Sequence, residues 1–88
     1  MLKETTTIIN KAGLHTRAAA KLVELTGGME SVIQIGHKNM VDGKSILSLM
    51  MLAAVQGTEV SIEVDGPDEE QAMSAILALI QNCFGESE

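Results

Sequence analysis

The chain has 88 residues, with 6 Lys and Arg against 12 Asp and Glu, a formal net charge of −6 and one aromatic residue, Phe84. At this length a single domain over residues 1–88 is expected, burying about 60% of its unfolded surface, which leaves no room for a deep enclosed active site. The acidity and the scarcity of stacking rings argue against a nucleic-acid partner, and the single cysteine, Cys83, excludes an internal disulfide framework and a multi-cysteine metal site.

No apolar run approaches the roughly 20 residues that a bilayer span needs, and the opening MLKETTT has no apolar segment of the signal-peptide kind. The chain reads as soluble and cytoplasmic, with no membrane insertion.

Residues 3 to 9 are rich in β-branched side chains, which fit a pleated surface, and predict a first strand. After a turn signal from Asn10 to Gly13, Ala18, Ala19, Leu22, Val23 and Leu25 recur at helical spacing over 16–26, and Gly27 with Gly28 marks the end. SVIQI (31–35) and a short segment near 39–42 predict a hairpin, with His37 as a solvated turn residue. Ser45 is a good N-cap for a second helix, SILSLMMLAA, whose Ile46, Leu49, Met50 and Ala53 share a stripe. TEVSIEVD (58–65) alternates cleanly, with Val60, Ile62 and Val64 on the buried side. Pro67 and the following acids open a third helix, striped by Met73, Ile76, Leu77, Ile80 and Phe84 up to Gly85, with Cys83 as a core thiol. The order βαββαβα points to an α+β layer with helices on one side of a sheet, although the pattern alone does not separate it from a ferredoxin-like strand order.

The segment GLHTRAAA (13–20) places His15 where the first helix begins. Helix N-termini present unpartnered N–H groups and partial positive charge, so they favour anions. A neutral imidazole, with an ordinary pKa near ~6.5, has a nucleophilic nitrogen. Arg17 adds a guanidinium suited to phosphate oxygens. Together these residues describe a phosphoryl acceptor, although on the two alone a capping histidine and a solvated arginine would account for the pattern. No Ser/His/Asp set, second histidine at ligand spacing or Gly-rich phosphate loop can be assembled, so neither a metal nor a cofactor is expected.

GLHTRAAA, GKSILSLMMLAA (43–54) and GTEVSIEVDGPDEEQA (57–72), in this order and spacing, resemble HPr, the histidine-containing phosphocarrier family of the bacterial phosphoenolpyruvate-dependent phosphotransferase system. The resemblance implies an HPr-like open-faced β-sandwich, a four-stranded antiparallel sheet in the order 1-4-2-3 with three helices on one face. It implies a monomeric covalent carrier, not itself an enzyme. His15 would take a phosphoryl group on Nδ1 from phospho-enzyme I and pass it to an enzyme IIA histidine, with Arg17 steadying the phosphate. It further implies that Ser45 is the target of a regulatory serine kinase/phosphorylase in some bacteria, and that Thr16, Ala20, Lys44, Ile46, Leu47 and Met50 contribute to partner docking. Exposed apolar residues with flexible methionines suit a surface that meets several partners.

Ala18 stands where many members have proline, and Glu24 and Gly27 where enteric sugar carriers have lysines. That less basic face suggests a different partner pair, as in the nitrogen-related, NPr-like branch. The competing reading is a regulatory interaction module of the same fold, acting through Ser45 and the second helix. A ligand-sensing ferredoxin-like domain lacks the glycine-rich effector loop it would need.

Overall fold

The computed structural model describes residues 1–86. Its elements are β1 (Leu2–Thr7), α1 (Thr16–Thr26), β2 (Val32–Gly36), β3 (Met40–Asp42), α2 (Ile46–Met51), β4 (Glu59–Asp65) and α3 (Glu69–Gln81), followed by a tight turn over Cys83–Gly85. The strands form one antiparallel sheet in the order β1-β4-β2-β3, the order the resemblance implies.

β4 occupies the centre because its alternation serves two neighbours at once. Val60, Ile62 and Val64 are fully buried, pairing with Thr6, Glu4 and Leu2 of β1, while Ile62 and Val64 also face Ile35 and Ile33 of β2. A period-2 pattern of this kind commits one face to a core. The helices supply the other side: Ala18, Ala19 and Leu22 from α1, Leu49 from α2, and Ala72, Met73, Ile76 and Ile80 from α3 close over Ile8, Ile33 and Ile35 in one apolar cluster.

Three boundaries differ from the sequence reading, each for a backbone reason. β1 ends at Thr7, because Ile8 leaves the β1–β4 ladder to exchange backbone bonds with the loop before β4, donating to Thr58 and accepting from Gly57. The second helix stops at Met51, and Ala53 takes a left-handed φ of 51°. Of the predicted stripe only Leu49 is fully buried, and Ile46 and Met50 are exposed. The third helix stops at Gln81 instead of continuing to Gly85: Cys83, Phe84 and Gly85 have φ of 56°, 54° and 80°. Left-handed backbone costs an L-residue roughly 1–2 kcal/mol, and here it turns Phe84 back into the core, where it is the only aromatic ring and is fully buried. Cys83, expected in the core, is only half-buried, because the reversal gives the inward position to Phe84.

The buried hydroxyls of Thr26 and Ser31 knit the layers. Thr26 donates its hydroxyl to the Gly43 carbonyl at 2.8 Å, joining the end of α1 to the loop before α2. Asp68, at the N-cap position of α3, makes no cap bond with its side chain. Its carboxylate instead accepts from the Ser31 hydroxyl and backbone N–H and from the Glu30 N–H, the last two at 3.0 Å, pinning the α1–β2 loop. These bonds, the Ser31 hydroxyl first and the Glu30 N–H next, hold the Asp68 carboxyl below the ordinary carboxylate range. A depressed folded-state value stabilises the fold above the unfolded-state value, near about 3.9, and the gain is lost as pH falls through the lower folded one. Asp68→Ala therefore lowers the urea midpoint at neutral pH, and the gap from wild type closes in strong acid; parallel urea titrations at the two pH values check this.

Candidate functional site

The turn before α1 is shaped by Gly13, whose φ of 73° is left-handed and whose Cβ, if it had one, would lie 2.6 Å from the Ala54 carbonyl oxygen. That approach lets the Leu14 N–H donate to Ala54 at 2.8 Å and sends the Leu14 side chain into the core. His15 is thereby delivered to the N-cap of α1 with extended backbone, φ −89° and ψ −177°. Its carbonyl accepts from Ala19 at 2.8 Å, and its Nδ1 accepts from the Arg17 N–H at 3.3 Å. The imidazole performs a capping duty more often given to Ser, Thr or Asp. The ring remains about one-third exposed.

The other ring nitrogen meets a residue that sequence reasoning missed. Nε2 lies 2.6 Å from Glu86 Oε2, across 71 residues of chain. Glu86 Oε1 accepts from Asn10 Nδ2 at 2.9 Å, and the same amide donates to the Gly13 carbonyl at 2.7 Å. Asn10 is fully buried, and its Oδ1 has no hydrogen-bond partner. The Asn10 amide first, and His15 second, hold the Glu86 carboxyl below its ordinary range, so it is an anion at neutral pH. No local signal marks Glu86: its place depends on the left-handed turn that follows α3.

Around this cluster lies an open depression of about 520 Å³ lined by Lys11, Ala12, His15, Arg17, Lys21, Phe84, Gly85 and Glu86. Lys11, Arg17 and Lys21 are half of the six Lys and Arg in a chain of net charge −6. Lys21 stands one helical turn after Arg17, a spacing that places two side chains on one face and was legible in the sequence. Glu24 and Gly27 are exposed farther along α1, so its positive charge gathers at the first two turns.

The remaining predicted residues divide between two places. Thr16 is exposed and Ala20 half-buried, both on α1 with His15. Ile46, Leu47 and Met50 are 38%, 70% and 38% exposed on α2, and they continue into Met51 and Val55 at 76% and 65%. This apolar surface reaches the histidine turn because Ala54, which follows α2, bonds Leu14. Ser45 caps the opposite end of α2, its hydroxyl accepting from the Ser48 N–H at 3.2 Å. The Lys44 ammonium turns away from Ser45 and donates to the Met29 carbonyl at 2.7 Å, fastening the same loop that Asp68 holds. His37 is an exposed hairpin residue whose Nδ1 lies 3.3 Å from the Glu59 carbonyl oxygen. Among the described residues there is no His, Cys, Asp or Glu cluster able to hold a metal, and no helix long and apolar enough to cross a membrane.

The PTS-HPr family model, described as the PTS HPr component phosphorylation site, matches residues 2–82. The chain belongs to the HPr family. This HPr-family chain is 55% identical over 89 residues to the Phosphocarrier protein HPr of Cupriavidus necator, covering 100% of both chains. It is 34% identical over 87 residues to the Phosphocarrier protein NPr of Escherichia coli, covering 97% of each, so its relatives include both HPr and the NPr-like branch. The crystal structure of HPr-C-His from Thermoanaerobacter tengcongensis superposes with a TM-score of 0.95 at 38% identity, covering 100% of both chains. HPr membership makes the protein a phosphocarrier of the phosphotransferase system.

Because Ser45 supplies the only side-chain cap of a six-residue helix, Ser45→Ala costs about 1 kcal/mol. Urea denaturation measures the loss, which arises whether or not the hydroxyl is ever modified.

Proposed function

We propose that His15 Nδ1 accepts a phosphoryl group from phospho-enzyme I, itself charged from phosphoenolpyruvate, and passes it to a histidine of an enzyme IIA in the cytoplasm. The observation that carries this reading is the position of Nδ1. It accepts the Arg17 N–H in the first turn of α1, with Arg17, Lys11 and Lys21 around the same depression. A helix N-terminus and a guanidinium are suited to the oxygens of a transferring phosphoryl group, whose catalysis is mainly positioning and charge stabilisation. The depression is open, so the remainder of the reaction's surroundings comes from the donor or acceptor protein that covers it.

Incubation with phosphoenolpyruvate and enzyme I tests the reading: intact mass should show one acid-labile phosphate. It is expected to vanish in His15→Ala and persist in His37→Ala. Labelled His15→Ala would remove His15 from its role. Arg17→Ala should slow transfer by about 10- to 100-fold, the loss of one charge-assisted hydrogen bond worth about 1.5–3 kcal/mol. Its melting temperature stays close to wild type, since Arg17 is exposed.

The apolar surface of α2 and Val55 supports a docking role beside His15, and the position of Ser45 supports a regulatory one. A phosphate on Ser45 would sit at the start of α2, where the backbone tolerates negative charge, beside Ile46 and Leu47, where a docking partner would have to desolvate it. Accordingly, Ser45→Asp is expected to melt no lower than wild type and to require more enzyme I for half-maximal labelling of His15. Identical enzyme I dependence in the two proteins would reduce Ser45 to its capping duty.

A further inference from the structure

The two nitrogens of His15 meet partners of opposite kind. Nδ1 faces a backbone N–H, the Arg17 donor at 3.3 Å, and must offer a lone pair there. Nε2 lies 2.6 Å from an oxygen of the Glu86 carboxylate, which when ionised only accepts, and must offer a hydrogen there. A neutral imidazole has one ring proton, and only the Nε2–H tautomer satisfies both contacts. The carboxylate in turn is not free to swing: its second oxygen is held by Asn10, whose amide has both hydrogens engaged, one on Glu86 and one on the Gly13 carbonyl.

The fold goes to some expense to place this carboxylate. Three consecutive left-handed residues, Cys83, Phe84 and Gly85, reverse the chain after α3, and the buried Phe84 ring anchors the reversal. Glu86 follows immediately, with its side chain 19% exposed against the start of α1. We propose that Glu86 is a positioning residue that holds His15 as its Nε2–H tautomer, keeping the Nδ1 lone pair available for the phosphoryl group and offsetting the positive charge that develops on the ring. This rests on the carrier reading above.

The step balances without a proton transfer. The Nδ1 lone pair, released from the Arg17 N–H, forms the new N–P bond while the bond between phosphorus and the donor breaks and returns its electron pair to the donor. Nε2 keeps its hydrogen throughout. The His15 ring, now substituted on both nitrogens, is cationic and lies against the Glu86 carboxylate, while the phosphoryl oxygens face Arg17 and the α1 N-terminus. In the other tautomer a hydrogen would occupy the Nδ1 lone-pair direction that phosphorus must approach. A buried or half-buried carboxylate that orients an imidazole and stabilises its cationic form is a device known from nucleophilic catalysis in general.

Long-range proton–nitrogen correlation spectra of the His15 ring, in mildly alkaline buffer where imidazole is neutral, read the tautomer directly. Wild type should show the Nε2–H pattern, whereas Glu86→Ala should show a mixture. The rate of phosphorylation by enzyme I should fall about tenfold in Glu86→Ala, with a melting curve close to wild type. Glu86→Gln, which keeps the shape without the charge, should also be slow, because a neutral amide cannot offset the ring cation. Glu86→Ala with unchanged ring-nitrogen shifts overturns the proposal, as do shifted nitrogens with an unchanged rate or a Glu86→Gln protein as fast as wild type. A wild-type protein that takes no phosphoryl group on His15 overturns the carrier reading instead, and the ring spectra of the same variants still decide whether Glu86 sets the tautomer.

Discussion

The bond from the Leu14 N–H to the Ala54 carbonyl is the contact on which the site depends. It requires the two chain segments to approach closely enough that a side chain at position 13 would collide with backbone, which is why Gly13 and its left-handed φ stand there. From that single approach follow the inward turn of Leu14, the delivery of His15 to the start of α1, and the nearness of the apolar α2 surface to the imidazole. Asn10, buried beneath the same turn, fixes the Gly13 carbonyl and Glu86 together. His15 is thus placed by two segments distant in sequence, Ala54 acting through Leu14 and Glu86 acting directly on the ring, while about a third of its side chain stays exposed.

Charge is distributed unevenly over this frame. The chain carries twice as many acids as bases, yet half the bases border the histidine. A local positive region within a negative surface gives an approaching anionic group a preferred orientation, and such steering weakens as salt is added. Glu24 and Gly27, exposed farther from the histidine, carry no positive charge, so the attraction is confined to the mouth of the site.

Much of this was legible in the sequence. The strict alternation of Val60, Ile62 and Val64 marks β4, and the placement of His15 ahead of an alanine-rich helical stripe locates the acceptor end of α1. What escaped detection is non-local or stereochemical. Glu86 meets His15 across 71 residues, and no periodicity encodes that contact. Left-handed Ala53, Cys83 and Phe84 are residue types that ordinarily avoid positive φ, so the helical spacing of α2 and α3 reads on past their true ends. Thr26 and Ser31 are polar yet fully buried, which no periodicity announces, because each spends its hydroxyl on a partner in another part of the chain. The burial of Phe84 is foreseen by the stripe, but through a reversed turn and not through a continuing helix.

One consequence follows from the apolar surface of α2 lying beside a single histidine. Leu47, Met51 and Val55 are all well over half exposed, an apolar surface of the kind that meets partners. In the proposed relay both donor and acceptor need this one surface and this one nitrogen, so they exclude each other. The carrier must leave the first before meeting the second, which gives the relay ping-pong order and sets a ceiling on useful affinity: a partner that held on tightly would stall the flow it takes part in.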